Sequence, residues 1–414
     1  MRRTACIVLL FLFIVPGLFA QEPHPNAVNV PPGIAAAVKS DPKANFGQLV
    51  DALLTGISTD AEKIRVLHDW VALNIQYDVN GFLGNSPVVY DVYDVIKTGR
   101  SVCEGYCNVF ELLLTTAGIE NKKINGYARG YGFNLFSGDE KFESNHAWTA
   151  VKLAGEWKLI DVTWNSGYID GMFFTPNYSL GYYMIEPGKF LYTHFPQDPQ
   201  WQLVSAPLGF EKFSEMPYLT DRFFALNLDL ITPPAKVYSC GEEFRLQIKI
   251  PDGVVVTSNL YDMEENRIEN RTLTQRSGKD GTVDILFPSA GKFHLTMFAK
   301  HKDAKGPYIG VAEFGFIASS GKDGKFPVLF KKFIENGCKL VKPGAWPFKL
   351  AADSTVDFEF YAPGEEAGVE TPTAMVMLQK NAAGNFAGKV KISGLPVRPF
   401  MKQGYTLNYI CSWE

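Results

Sequence analysis

The sequence predicts an α+β domain followed by two β-sandwich domains. Two patterns indicate this organisation. Up to about residue 165, apolar residues first recur with a helical period and then form strand-like runs. From about residue 223 onward, short alternating runs are separated by glycine, proline and aspartate, as in β-sandwiches. A length of 414 residues suits two or three domains of roughly 150 residues each.

Composition excludes several classes of protein. Hydrophobic residues make up 46% and charged residues 20%, which is typical of a globular chain and not of a disordered, collagenous or coiled-coil one. The formal charge of −4 does not fit a nucleic-acid-binding protein, which needs a basic surface. Glycine motifs for phosphate or dinucleotide binding and convincing metal clusters are absent from the sequence, so we expect no cofactor and no metal.

The first twenty residues have the pattern of a secretory signal peptide. Arg2 and Arg3 precede an apolar run over residues 7–15, and the small residue Ala20 stands before a cleavage point. This run is too short for a membrane span of about 20 residues, and no later segment is long enough. We therefore expect residues 1–20 to be removed and the protein to be secreted or periplasmic, without a membrane span.

The first domain, predicted over residues 21–222, begins with helices. Gly56 ends the first predicted helix, and Thr59 with Glu62 forms a capping box that begins the second. The third helix is predicted from about Cys103 to Thr116. The apolar face of the first helix consists of Phe46, Leu49, Val50, Leu53 and Leu54.

A β-hairpin follows the helices. The runs Asn145–Leu153 and Glu156–Trp164 are joined by Ala154-Gly155, a two-residue turn signal. With that turn, His146 and Asp161 become diagonal neighbours on one face of the hairpin, roughly 7–8 Å apart at Cα. A slip of one residue in the pairing would separate them.

The rest of the chain contains a faint internal repeat. Residues 230–233 resemble residues 340–343, and residues 244–251 resemble residues 356–363, an offset of about one sandwich domain. We predict β-sandwich domains over residues 224–318 and 325–414. Cys338 and Cys411 fall at the start and end of the last domain, and the sequence leaves open whether they form a disulfide.

The chemistry is concentrated around Cys103. A helix N-terminus presents unpaired N–H groups and partial positive charge, and both stabilise a thiolate. The alternative is a cysteine buried as a small hydrophobic residue. His146 and Asp161 favour the reactive interpretation, because an aspartate can hold one imidazole nitrogen while the other receives a thiol proton.

Two neighbouring features have alternative explanations. Cys107 lies one helical turn after Cys103, where we favour a buried core residue over a resolving thiol. Cys103, Cys107, His146 and Asp161 have the right chemistry for zinc, but paired CxxC spacing is lacking, so we do not favour a metal site. For Trp148 and Trp164, packing in the core is the expected role.

Three segments resemble the motifs of the transglutaminase-like superfamily. They are the segment 99–107 with its Cys103, the segment Asn145–Trp148 with its His146, and the segment 159–165 with its Asp161. Within the superfamily the likeness is to kyphoscoliosis peptidase and its bacterial relatives, which carry a similar VCEGY start and later β-domains. The resemblance implies a papain-like fold with Cys103, His146 and Asp161 as a catalytic triad.

The resemblance also implies a function. We expect an exported cysteine enzyme that acts on protein or peptide amide bonds through a thioester, as a peptidase, deamidase or transamidase. By analogy with the helix that precedes the cysteine in such folds, Gln76 could donate to an oxyanion, although an exposed helix-end glutamine is the simpler interpretation. The alternative function is a non-catalytic binding or assembly protein with a vestigial domain, whose β-domains bind a protein partner. The sequence leaves the substrate and the oligomeric state open.

Overall fold

The computed structural model describes residues 22–137, 141–344 and 347–414, which form two compact units. The first unit contains the described residues up to Ile124 together with Ala147–Met184, and the second contains Asn125–His146 and Ile185–Glu414. The predicted signal peptide lies outside the described residues. Within the described ranges, no helix has the length and apolarity needed to cross a membrane.

The first unit is mainly helical. The predicted end of the first helix near Gly56, the start of the second after Thr59 and the third helix from Cys103 to Thr116 are confirmed, whereas the second helix ends at Asn74 and not near Asp78 as expected. Thr59 is the N-cap of the second long helix, with its Oγ1 accepting from the Glu62 N–H at 3.3 Å. Gly56 has a φ of 73°, which ends the preceding helix without strain. The helices are Pro25–Val28, Pro32–Ser40, Pro42–Leu54, Asp60–Asn74, Val79–Phe82, Val92–Thr98, Cys103–Thr116 and Val162–Ser166.

Three of these helices build the core of the first unit. Leu53, Leu67 and Phe110 come from different helices and are fully buried in one apolar cluster. Burial of each such side chain contributes about 1.5–3 kcal/mol, so this cluster fixes the Cys103–Thr116 helix in place. The Tyr106 hydroxyl adds a directed contact, donating to the carbonyl oxygen of Ile75 at 2.6 Å.

The predicted hairpin register is confirmed. Strands His146–Leu153 and Glu156–Ile160 pair from Leu153↔Glu156 to Thr149↔Ile160. Ala154 and Gly155 both have positive φ, 50° and 85°, as in the type I′ turn, which is common in hairpins with a two-residue loop.

The predicted extent of the second strand is wrong. The strand ends at Ile160, because Asp161 is the N-cap of the short helix Val162–Ser166. The Asp161 carboxylate accepts from the Trp164 N–H at 3.1 Å, which satisfies a helix-end donor that a strand would not provide. Trp164 therefore lies on a helix and not on the hairpin.

Other strands complete the two units. Within the second unit, residues 126–128 of strand Asn121–Ala128 pair with strand His194–Pro196. In the first unit, short strands pair Gln76 with Arg100 in parallel and Gly167 with Pro176 in antiparallel orientation. The remaining elements before residue 217 are strands Gly167–Asp170, Phe173–Pro176 and Tyr183–Ile185, helices Pro187–Phe190 and Phe210–Glu215, and the 3₁₀ helix Pro199–Gln202.

The C-terminal part is rich in sheet and has two apolar cores. A six-stranded and a four-stranded sheet contain the strands between residues 218 and 318, and two four-stranded sheets contain most of the strands after residue 339. The core between 219 and 318 includes Leu246, Ile285, Phe314 and Phe316, each at most 1% exposed. This arrangement supports the predicted fold class, whereas the exact domain limits stay predictions. The strands are Tyr218–Leu219, Asp229–Leu230, Val237–Cys240, Glu243–Lys249, Val254–Tyr261, Arg267–Ile268, Thr272–Ser277, Asp280–Leu286, Gly291–His301, Ile309–Ala318, Val328–Leu329, Lys339–Lys342, Thr355–Tyr361, Glu366–Thr371, Ala374–Met377, Gln379–Lys380, Phe386–Lys391, Arg398–Gln403, Thr406–Tyr409 and Cys411–Ser412.

The faint sequence repeat corresponds to a structural one. Helix Asp221–Ala225 precedes strand Asp229–Leu230, and helix Lys331–Glu335 precedes strand Lys339–Lys342. Each short strand then pairs in antiparallel orientation with the first long strand of its region. The two short helices were not expected from the sequence, because five residues are too few to show a helical period.

Cys338 and Cys411 are both buried and are free thiols in the structure. The disulfide that the sequence left open is therefore not formed. Burial raises the pKa of Cys338 to about 12, and burial followed by the proximity of Cys338 raises the pKa of Cys411 as well. Both side chains contribute to the apolar core of the last region.

Candidate active site

Cys103 is the first residue of the Cys103–Thr116 helix and is only partly buried. Val102 is the N-cap in an extended conformation, and its carbonyl accepts from the N–H groups of Gly105 and Tyr106 at 3.0 and 3.2 Å. The thiol thus lies at the positive end of a 14-residue helix. This placement confirms the predicted helix start at Cys103, and the activation of its thiol as a thiolate stays a prediction.

Gly105 explains part of the nucleophile motif. A Cβ atom on Gly105 would lie 2.0 Å from the Ser101 Oγ and 2.6 Å from the Ser101 Cβ, so a larger residue does not fit. Ser101 is itself fixed by a hydrogen bond from its Oγ to the carbonyl of Val89. The glycine therefore lets the strand before Cys103 approach the helix that Cys103 begins.

We predict that Gly105→Ala lowers the free energy of unfolding of the first unit by about 1–3 kcal/mol, the usual cost of overpacking. Gly47→Ala is the matched control, because Gly47 also lies within a helix and a Cβ atom added there would meet no atom within 4 Å. The control is expected to be neutral or stabilising by up to about 1 kcal/mol. Urea unfolding measures both, and equal midpoints for the two variants would contradict the packing argument.

Cys107 is fully buried one turn later. Burial raises its pKa well above the usual thiol value, and the negative charges of Cys103 and Asp161 raise it further. A fully buried thiol that is held protonated is a poor resolving nucleophile, because that role needs the thiolate. The structure thus supports the interpretation of Cys107 as a core residue.

Asp161 is fully buried at the junction of the hairpin and the Val162–Ser166 helix. Its carboxylate caps that helix, and its N–H donates to the carbonyl of Tyr182 at 3.0 Å. The fixed carboxylate belongs to the same unit as Cys103. Tyr77 lies close to both: burial raises its pKa first, followed by the charges of Cys103, Tyr106 and Asp161.

His146 begins strand His146–Leu153 and is half-buried. The preceding residue fixes this start. The Asn145 amide accepts from the Ala128 N–H at 2.7 Å and donates to the Ala128 carbonyl at 3.1 Å, as a strand peptide would. This role of the asparagine in the histidine motif was not predicted, although an Asn directly before a strand is a signal for side-chain bonding to backbone.

A second histidine lies beside His146 within the second unit. The ring of His194 is 5.6 Å from the ring of His146, fully buried, and stacked at 4.0 Å on Phe190. Thr193 Oγ1 lies 2.9 Å from His194 Nδ1. Sequence reasoning missed His194, because it lies outside the three motifs and reaches His146 only through the folded chain.

The remaining predicted neighbours have structural roles. Trp148 is buried in the core, and Trp164 packs edge-on against Tyr182 with ring centroids 5.1 Å apart. Gln76 is exposed and contributes its backbone to a short strand, with its N–H donating to Gly99. Gln76 is exposed as expected, but it lies on a strand after the helix has ended at Asn74, and its role as an oxyanion donor stays a prediction.

The fold and these residues define a class. Residues 47–162 match the family model of the transglutaminase-like superfamily, and residues 210–326 match the model of the KY-like, immunoglobulin-like domain. The chain therefore carries a transglutaminase-like domain followed by an immunoglobulin-like domain. Proteins of this superfamily are typically cysteine-based enzymes.

Individual relatives agree with this class. The chain is 32% identical over 195 residues to kyphoscoliosis peptidase of Mus musculus, covering 46% of this chain and 29% of the relative. It is 33% identical over 187 residues to kyphoscoliosis peptidase of Homo sapiens, covering 44% and 28%. It is 24% identical over 291 residues to the Lim and transglutaminase domain protein ltd-1 of Caenorhabditis elegans, covering 64% and 40%. The chain thus spans less than a third of the length of the two kyphoscoliosis peptidases, and the predicted resemblance is confirmed.

Proposed function

We propose that this protein is an exported cysteine enzyme that acts on protein or peptide amide bonds, with Cys103, His146 and Asp161 as its catalytic triad. The observation that carries the proposal is the partly exposed Cys103 thiol at the N-terminus of a long helix, in the same unit as the buried and fixed carboxylate of Asp161. The hairpin also supports the inclusion of His146, because His146 begins one of its two paired strands and Asp161 directly follows the other.

The chemistry follows from the roles of the three residues. The Cys103 sulfur attacks the amide carbonyl, and its proton passes to His146. When the tetrahedral intermediate collapses, the carbon–nitrogen bond breaks and His146 returns the proton to the leaving amine. Asp161 orients the imidazole and stabilises its charged form. Backbone N–H groups in the first turn of the helix bind the oxyanion.

The nucleophile that attacks the resulting thioester decides between the possible activities. Attack by water releases the acyl group and gives proteolysis, or deamidation if the substrate is a glutamine side chain. Attack by a lysine amine gives an isopeptide bond and returns the Cys103 thiol. All three outcomes share the same first step, so the proposal is first tested on the thiol itself.

Alkylation with iodoacetamide across pH 5 to 9, followed by peptide mass spectrometry, tests this step. Cys240 is an internal reference, because it is the other partly exposed cysteine among the described residues and burial raises its pKa. We expect Cys103 to react at pH 6 at least about tenfold faster than Cys240, since only the thiolate is nucleophilic. His146→Ala is expected to remove most of that difference.

Equal rates at Cys103 and Cys240, unchanged by His146→Ala, would contradict a triad. That result would favour the alternative of a binding or assembly protein with a vestigial domain. The export part of the proposal has a separate test. N-terminal sequencing of the protein recovered outside the cytoplasm is expected to begin at Gln21, and an uncleaved cytoplasmic chain would refute it.

A further inference from the structure

A buried carboxylate in the first unit accepts four hydrogen bonds. Asp69 receives the Nε of Arg65 at 2.7 Å and the backbone N–H of His24 at 2.7 Å on one oxygen. Its other oxygen receives the Tyr178 hydroxyl at 2.6 Å and the Nδ1 of His68 at 2.8 Å. Burial would raise the pKa of Asp69, but the hydrogen bonds from His68, Tyr178 and His24 outweigh it and lower that pKa. Asp69 is therefore ionised and can only accept.

An ionised Asp69 determines the tautomer of His68. Its Nδ1 must carry a proton in order to donate to the carboxylate. His68 is fully buried, and this burial lowers the pKa of its imidazole despite the neighbouring carboxylate. The neutral ring with a proton on Nδ1 presents an acceptor at Nε2.

The acceptor at Nε2 sets the orientation of a buried amide. Asn165 Nδ2 lies 2.9 Å from His68 Nε2 and donates to it. The Asn165 oxygen then points the other way and accepts the Tyr182 N–H at 2.9 Å. A flipped amide would place its NH₂ group against the Tyr182 N–H and its oxygen against the His68 Nε2 acceptor, so these two groups together permit only one orientation.

The backbone groups of Asn165 and Tyr182 hold both sides of Asp161. The carbonyl of Tyr182 accepts the Asp161 N–H at 3.0 Å, and the Asn165 N–H donates to the Asp161 carbonyl at 3.2 Å. The Asp161 backbone is thus bonded to Asn165 and to Tyr182, and the Asn165 side chain in turn accepts the Tyr182 N–H. The Asp69 carboxylate thus determines the direction of the two side-chain bonds of His68, and the backbone groups of Tyr182 and Asn165 connect them to Asp161.

We propose that His68 is a positioning residue for the active site, which through Asn165 and Tyr182 fixes the backbone of Asp161. The inference rests on the proposed role of Asp161, because a fixed carboxylate matters only if it orients a catalytic histidine. His68 itself touches neither substrate nor the reacting atoms in this scheme. Helix Asp60–Asn74, which carries His68, thereby contributes to the site although its residues lie outside the three motifs.

The test compares two substitutions of His68 in the full chain. In His68→Asn the amide nitrogen replaces Nδ1 and keeps the bond to Asp69, but no acceptor reaches Asn165. In His68→Gln the longer amide places an oxygen near the former Nε2, so it is the conservative variant that rescues the link. We expect the Asp161 amide hydrogen to exchange at least about tenfold faster in His68→Asn, and within about threefold of wild type in His68→Gln.

Two further readouts separate positioning from general stability. Nitrogen NMR distinguishes the protonation states of the imidazole rings, and the signal that is missing in His68→Gln belongs to His68. We expect this signal to show a neutral ring with its proton on Nδ1. The iodoacetamide rate of Cys103 at pH 6 is expected to fall at least about fivefold in His68→Asn and to recover in His68→Gln. Hairpin amides such as that of Val151, fully buried and paired to Lys158, are the control and should exchange equally in all three proteins.

The outcomes distinguish the two proposals. Ordinary Cys103 reactivity in the wild-type protein would remove the proposed function, whatever the His68 variants do. Wild-type Cys103 reactivity that His68→Asn leaves unchanged, or an Asp161 amide that exchanges equally in both variants, would overturn the positioning role. A proton on Nε2 of His68 in the wild-type protein would overturn it as well.

Discussion

Cys103→Ala is expected to abolish turnover of amide bonds, by about 10⁴-fold or more, because removing a nucleophile eliminates the covalent path entirely. Cys107→Ala is the matched control from the same helix. Its thiol is fully buried, so we expect activity within about tenfold of wild type and a loss of stability of about 1 kcal/mol from the small cavity.

The assay is designed to separate the three chemical outcomes. A glutamine-containing protein is incubated with a fluorescent amine, and incorporation, ammonia and new peptide termini are measured in the same reaction. Incorporation identifies a transamidase, ammonia alone a deamidase, and new termini a peptidase. If Cys103→Ala retains the activity, or if a folded Cys107→Ala loses it equally, the assignment of the nucleophile is wrong.

Arg129→Met is expected to lower the free energy of unfolding of the second unit by about 3–5 kcal/mol. The guanidinium is fully buried and donates to the carbonyls of Tyr192, Phe213, Met216 and Pro217. It also lies 4.3 Å from the ring centroid of Phe213. Removing the guanidinium leaves several carbonyl oxygens without their donor, and each buried acceptor without a partner lowers the free energy of unfolding.

Two other variants complete this test. Arg129→Lys keeps the charge but cannot reach four carbonyls from one ammonium group, so we expect an intermediate loss. Arg267→Met is the surface control, because the Arg267 side chain is 52% exposed and its ion pair with Glu269 should contribute little. Urea unfolding followed by intrinsic fluorescence measures all three. An unfolding midpoint for Arg129→Met equal to that of Arg267→Met would show that the buried Arg129 guanidinium does not stabilise the second unit.

Local patterns in the sequence predicted local structure well. The helix starting at Cys103 and the N-cap at Thr59 depend on residues within four positions of each other, and both are confirmed. The Glu62 carboxylate accepts from the Thr59 hydroxyl and not from its N–H, so the reciprocal half of the predicted capping box differs. The hairpin register was predictable for the same reason, since a two-residue turn determines which residues pair. The error at Asp161 arose because an aspartate can end a strand by capping a helix, and only the next turn of chain decides this.

The parts that were not predicted depend on residues far apart in the chain. His194 lies 48 residues after His146, and Asn165 lies 97 residues after its partner His68, so neither partnership produces a motif. Arg129 shows the same limit in another form. A lone arginine next to a glycine suggests a solvated loop residue, and only the fold reveals that carbonyls from several segments surround it.

The contact between Asp69 and the start of the described chain has a practical consequence for protein production. The backbone N–H of His24 donates to Asp69, and the carbonyl of Glu22 accepts from the Arg65 guanidinium at 2.9 Å. An affinity tag fused directly before residue 22 would compete for the space and the hydrogen bonds of these two residues. A tag at that end therefore needs a flexible linker before Glu22, so that purified material keeps the Asp69 carboxylate fully bonded.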